Sequence, residues 1–520
     1  MKPSHLAMAA LAGGVLAACV ADPGPGPFPD DSVAVVNAVP AAPVAGRYWA
    51  HVFARGTATG PVTLWFEYKP DSAPTWVFVP KTSERAIAAG TDLATIDAWL
   101  YGLTAGTGYS VRACTRDAAS RVTCDSAPAT FATRAPAPLG WISVDPAHPR
   151  HLMLPGGARW VPWGNNYVGV TGAAANHRLV EDQMYCAAGL ARIDADLARL
   201  AEIAPPGGAT RTIRMHVQLA RFLRDPATPD AEALARYAHV IEMAEDHGLR
   251  VMVTGLGDFY PGDNPAWVGQ QTDEATHWAT QALWWTSMAF ALHDSPGVFA
   301  YDLMNEPYVG GDLIHPDGVW WTNVAPTGFC SYGEDAAHGI HGTCFGQFVT
   351  PNQGTRAAAT VAAAWTQQMV HAIRYIGPFV NDPRHLVTIG VGAFGLSNVF
   401  HSSTAVHAQL DFLEPHLYPD ANQGQDAIDL AAALARLSPK PIIAGETFTF
   451  GPVRHLISVT CNAGTVHGWI GQSDGRRLGD PCPDGANPFG CALYDAWYTV
   501  MRDFGPTMRA GGCPPVEPAP

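Results

Sequence analysis

The sequence predicts an α/β chain, a (β/α)8 TIM barrel preceded by a small all-β sandwich. Three observations point there. Between residues 139 and 513, short apolar runs alternate eight times with amphipathic helical text. That is the rhythm of a parallel sheet with crossover helices. Residues 36–134 hold short alternating segments such as "VTLWFEYKP", "TWVFVP" and "YSVRACT", separated by turn residues, as in a small sandwich. The Gly-rich phosphate turn of an open doubly wound sheet does not follow any early strand.

Composition limits the function classes. With 520 residues, 48% hydrophobic and 15% charged, the chain has material for two or three folded domains. A formal net charge of −15 argues against a nucleic-acid partner, which selects a basic face. Neutral glycans remain open, and the 16 Trp offer flat apolar faces to sugars, although any single Trp is more often a core residue.

The elements follow in chain order. Residues 1–19 carry Lys2, a short apolar run and small residues, which is an export signal too short to anchor a mature protein. "LAAC", Leu16 to Cys19, resembles a bacterial lipobox. The resemblance implies cleavage before Cys19 and lipidation of its thiol. Val20 follows, not Asp, so the implied location is extracytoplasmic and lipid-anchored, at the outer membrane if the host is Gram-negative. Residues 20–35 are Pro/Gly-rich and form a tether. Within 36–134, Leu100 to Thr115 with Trp65 upstream and "FATR" closing at Arg134 resembles a fibronectin type III domain. Tyr109, Val111 and Ala113 then point inward, Tyr109 as a tyrosine corner. A passive spacer is the expected role.

In residues 139–513, "WVPWGNN" opens the strand series. "RTIRMHV" follows, then a helix over "TPDAEALARYAHVIEMAEDHG" with Pro229 in its first turn, Gly248 at its end and Leu234, Tyr237, Ile241 and Ala244 on one face. "LRVMVTGL", "VFAYDLMN", "HLVTIGV", "LDFLEPHLY", "KPIIAGETF" and "VHGWIG" complete eight strands. Of the ten Cys, close spacing suggests Cys114 with Cys124, Cys330 with Cys344 and Cys482 with Cys491, although spacing does not fix connectivity. If Cys19 carries lipid, nine remain and at least one is unpaired.

In a parallel barrel the chemistry sits at the carboxyl ends of the strands. Glu306 closes the fourth strand in "YDLMNEPYVGG", where Pro307 forbids further pairing. Glu446 closes the seventh in the same way. Two Glu on one barrel face are what glycoside hydrolysis needs, one protonated and one ionised.

On these residues the barrel resembles a clan A glycoside hydrolase, most like family 5, the cellulase family. The resemblance spans Trp141 to Phe504 and implies Glu306 as acid/base and Glu446 as nucleophile. It implies substrate-binding roles for Asn305, Arg214, His416 and Tyr418 of "EPHLYP", Trp469 as a platform under the sugar, and Asn165 after the first strand. "ISVDPAHPRHLMLPGG" resembles the hairpin that closes the bottom of such barrels. The chain departs from the family in lacking its His after the third strand; His216 or Asp258 are the substitutes.

The segment from Tyr308 to about Thr355 is too long for an ordinary connection. Its Tyr308, Trp320, Trp321, Phe329 and Phe345 fit either sugar subsites or a small core of the loop. No cluster with convincing metal-ligand spacing appears, so neither metal nor cofactor is expected. The expected partner of this monomer is a polysaccharide or oligosaccharide, with a membrane contacted through lipid alone. The expected activity is retaining hydrolysis of a β-glucan, mannan or related glycan, of the endo-β-1,4-glucanase or mannanase kind. An exo-acting β-mannosidase, a hydrolase of glycolipid glycans and a non-catalytic glycan-binding lipoprotein stay open.

Overall fold

A computed structural model describes residues 43–518 except 55–59, 79–83, 93–95, 174–178, 204–211, 258–264, 266, 268–272, 310–348, 351–352, 377–381, 383, 393–394, 420–423, 450 and 483–487. The leader, Cys19, the tether, Asp258, the Cys330–Cys344 pairing and most of the long insertion therefore lie outside the described residues.

The second strand, Thr212–Gln218, shows how the barrel is built. Ile213, Met215 and Val217 pack outward into the helix layer, while Arg214 and His216 point to the barrel interior, the two-residue period of a strand. Parallel pairing joins it to Trp163–Tyr167 on one side and Arg250–Gly257 on the other. Val298–Asn305, Leu386–Val391 and Glu414–Pro415 continue the sheet, and Trp469–Gly471 pairs with Trp163–Tyr167. Residues 442–446 join the ends through parallel bridges of Ile442 to Leu413, Glu446 to His416 and Ala444 to Trp469. Parallel pairing thus runs all the way round.

Each strand feeds a helix, and the sequence explains where they start. Asp230 caps Ala231–Asp246 by accepting from Ala233 N, and Asp273 caps Glu274–Leu292 by accepting from Thr276 N. Pro229 precedes the cap instead of lying in the first turn, a correction of two residues. Leu234, Tyr237, Ile241 and Ala244 are fully buried, as their spacing predicts. Ile142, Leu152 and Trp160 of the entry hairpin join Met252, Phe299, Leu386, Phe412, Ile443 and Ile470 in one cluster that plugs the barrel floor.

Ahead of the barrel, two antiparallel sheets enclose Val52, Leu64, Phe66, Leu100, Tyr109, Val111 and Ala113. The Tyr109 hydroxyl accepts from Thr104 N at 2.9 Å, five residues upstream. This unit is not held off as a spacer. Tyr48, Trp49 and Tyr101 merge into the barrel's own core, and Tyr48 OH donates to Glu245 at 2.9 Å.

Disulfides join Cys114 to Cys124 and Cys482 to Cys491, as spacing suggests. Cys461–Cys513 spans 52 residues and ties the helix Val453–Asn462 to the C-terminal segment. No cysteine is free among the described residues.

Candidate active site

Arg214 is the hub, with no exposed surface in the barrel interior. Its five N–H groups are all directed at neighbours. Nε donates to Asp302 Oδ2 at 3.1 Å; Nη2 donates to the same oxygen at 2.6 Å and to Asn305 Oδ1 at 2.9 Å. Nη1 donates to Glu446 Oε1 at 2.8 Å, Asn166 Oδ1 at 3.0 Å and His216 Nε2 at 2.8 Å. Asp302 and Asn305 are three residues apart and strict alternation would separate them. The register shifts between them, and that irregularity aims both inward. Gly390 leaves the room: a Cβ there would meet Arg214 Nη2 at 2.6 Å and His416 Nε2 at 2.9 Å.

Glu446 is held at both oxygens, by Arg214 on Oε1 and by Tyr418 OH on Oε2 at 2.5 Å. Burial pushes its carboxyl up, but His416, Arg214 and the Tyr418 hydrogen bond bring it down to about 2. It is an ionised carboxylate. Burial and Glu446 push the Tyr418 hydroxyl far up, so it stays a donor. Burial, reinforced by Arg214, holds His216 well below its usual range and neutral.

Glu306 faces a different environment. Its side chain is 24% exposed and shares a 2.7 Å hydrogen bond with His416 Nδ1. Its backbone sits at φ 49°, a left-handed conformation costly for any residue but Gly. That geometry turns the carboxyl in from the strand end. A carboxylate oxygen of Glu306, one of Glu446 and a ring nitrogen of His416 lie within 4.8 Å of one another.

The structure thus gathers Glu306, Glu446, Asn305, Arg214, His416 and Tyr418. Two expected residues lie elsewhere. Asn165 faces outward: its Oδ1 accepts from Trp497 Nε1 at 2.8 Å and its Nδ2 contacts Met501 Sδ at 3.3 Å. The first strand continues to Tyr167, so it is Asn166 that reaches the interior, one residue on and therefore on the other face. Trp469 begins its strand instead of ending it. It is wholly buried against Trp163, with ring centroids 6.3 Å apart, and presents no face to a sugar. At that strand's end stands Gln472, whose Nε2 approaches Tyr418 OH at 3.5 Å.

Sequence reasoning also missed Asp302 and Glu414. Glu414 alternates with His416 and Tyr418, and that two-residue period in "EPHLY" was the available sign. Its Oε1 lies 2.8 Å from Arg214 Nε.

Residues 209–447 match the family model for cellulase, glycosyl hydrolase family 5. The matched segment contains both Glu306 and Glu446. No curated protein matches the chain. Among solved structures, the exo-β-1,4-mannosidase Op5Man5 from Opitutaceae bacterium strain TAV5 is similar at 15% identity and TM-score 0.46, over 71% of this chain and 62% of that one. The chain thus spans less than two thirds of the mannosidase's length. A β-1,4-mannanase from the common sea hare Aplysia kurodai is similar at 13% identity and TM-score 0.43, over 71% of this chain and 98% of that one. An endogalactoceramidase is similar at 16% identity and TM-score 0.42, over 65% and 76% respectively. At TM-scores below 0.5 these likenesses bear on neither substrate nor mechanism.

Proposed function

We propose that the chain is a retaining glycoside hydrolase that cleaves β-glycosidic bonds in a β-glucan, mannan or related glycan by double displacement. The observation that carries this is the approach of the Glu306 and Glu446 carboxylates to within 4.8 Å. Retaining enzymes hold the pair about 5–5.5 Å apart, whereas inverting enzymes leave a wider gap for water. The unlike surroundings of the two groups divide the roles. Glu446, held ionised by Arg214 and Tyr418, attacks the anomeric carbon. Glu306, facing His416 and not the guanidinium, protonates the departing oxygen. In the second half Glu306 takes a proton from water, which attacks the anomeric carbon and frees Glu446.

The test is azide rescue of two variants on an activated aryl glycoside. Glu446→Ala loses turnover, and azide then enters from the opposite face to give the α-glycosyl azide. Glu306→Ala accumulates glycosyl-enzyme, and azide restores turnover with the β-azide as product. Identical behaviour of the two variants, or an inverted wild-type product, would overturn the assignment. A panel of β-glucans, mannans and xylans then identifies the sugar.

Two readings at the N-terminal end rest on sequence: the fibronectin type III-like character of residues 36–134 and lipidation of Cys19. Mass spectrometry of the mature N-terminus tests the second; an unmodified terminus or cleavage elsewhere ends it.

A further inference from the structure

We propose that Glu414 is held as a neutral carboxylic acid and acts as a positioning residue. It occupies the third place around Arg214 without adding charge, which leaves the guanidinium to Asp302 and Glu446. The proposal deepens the hydrolase reading and rests on it for the role of Glu446.

Three carboxyl groups crowd one guanidinium, and those of Asp302 and Glu414 have no exposed surface. They differ in the donors they receive. Asp302 accepts two N–H groups from Arg214 on Oδ2 and Gly390 N on Oδ1 at 2.7 Å. Glu446 accepts from Arg214 and from Tyr418. Glu414 Oε1 lies 2.8 Å from Arg214 Nε, but the single hydrogen of Nε is directed at Asp302. The four Nη hydrogens serve Asp302, Asn305, Glu446, Asn166 and His216. Neither Glu414 oxygen accepts a hydrogen bond among the described residues. An ionised carboxylate in that position would be buried without donors, which proteins avoid by taking up a proton.

The surrounding charges point the same way. The groups facing Glu414 are Arg214 from the second strand, Asp302 from the fourth and Glu446 from the seventh. Burial first, then Asp302, raises the Glu414 carboxyl well above the carboxylate range, against the opposing pull of Arg214. Gly445 packs its backbone directly on this acid: a Cβ there would meet Glu414 Oε1 at 2.0 Å. A second negative charge behind the nucleophile would raise the proton affinity of Glu446 and divert Arg214 from it.

Infrared difference spectroscopy near neutral pH reads the proton directly. Glu306 as the acid and buried Glu181, which burial pushes up to about 8, contribute bands of their own, so the proteins are compared with one another. Wild type is expected to show a carbonyl component of a buried protonated carboxyl that is lost in Glu414→Gln and retained in Glu446→Gln. Kinetically, Glu414→Ala frees Arg214 to shift, lowering kcat/KM about 10- to 100-fold and moving the acid limb of the pH profile upward. Glu414→Gln, the neutral isostere, recovers most of the loss and returns the limb. Identical carbonyl bands in wild type and Glu414→Gln overturn the proposal, as does a Glu414→Gln variant as impaired as Glu414→Ala. If Glu414→Ala does not fold, the band and a large activity loss in Glu414→Gln remain decisive. The band needs no turnover, so failure of the hydrolase reading in the azide experiment is distinguishable from failure here.

Discussion

Two buried arginines in this protein meet clusters of carboxylates and do opposite things with them. Arg47, at the junction of the N-terminal unit and the barrel, meets Glu242, Glu245 and Asp246 at the end of helix Ala231–Asp246. Arg214 meets Asp302, Glu414 and Glu446. At the junction other groups share the load. Arg134 reaches Asp246 at 3.0 Å, and Glu245 also accepts from Tyr48, from Ser295 Oγ at 2.7 Å and from Gly297 N at 3.1 Å. Each carboxyl there is shared among several donors, and the cluster opens to solvent at Arg134 and Asp246. Around Arg214 three carboxyl groups share one guanidinium, and Glu446 lies at the strand end beside Glu306. The same chemistry serves as adhesive at the junction, where a second arginine and several neutral donors share the carboxyls, and stands at the proposed reaction site, where one guanidinium serves three.

Arg214→Met should break the second cluster most severely. Removing its guanidinium strips Glu446 of its main donor, so kcat/KM should fall at least ~10²–10³-fold. Stability should drop about 3–5 kcal/mol, because buried carboxylates lose their counter-ion. Retained turnover in the folded fraction would show that Arg214 only supports the fold.

Arg47→Met should cost a similar 3–5 kcal/mol in a denaturant melt. Specific activity per folded molecule should stay unchanged, since Arg47 contacts none of the residues around Arg214 or Glu306. A fall in kcat at temperatures where the variant is folded would mean the two clusters communicate.

A smaller effect separates the clusters by pH. The Glu446 carboxyl is depressed to about 2 from an unfolded value near 4.5. Its stabilisation is fully present above pH 4.5 and is lost as pH falls through 2. The wild type should lose about 2–3 kcal/mol more than Glu446→Gln between pH 5 and pH 2, read from melts at each pH. Parallel curves for the two proteins would contradict the depressed value.

The smallest contrast concerns neighbours in one strand. Asn165→Ala should cost about 1–3 kcal/mol by leaving the Trp497 N–H unpaired, with kcat/KM intact. Asn166→Ala, beside Arg214 and the Gly445 and Gly471 carbonyls, should lower kcat/KM instead. The reverse pattern would mean that Asn165, not Asn166, faces the barrel interior.

The legible part of this protein is what local pattern encodes. Strand and helix rhythm, the caps at Asp230 and Asp273, and the two Glu at strand ends are readable because each depends on residues close in sequence. The short-range pairs Cys114–Cys124 and Cys482–Cys491 were readable for the same reason, whereas Cys461–Cys513 was not. The sites of Asn165 and Trp469 were misjudged because a strand's end determines which residue faces the interior, and its register comes from neighbouring strands. Glu414 carries an ordinary label in the sequence; only the folded barrel shows that Arg214 has no hydrogen left for it. By itself the sequence determined the order of elements and the placing of Glu306 and Glu446 at strand ends. Tertiary structure alone decided which donors each carboxyl receives, because hydrogen bonding and burial are properties of distant strands brought together.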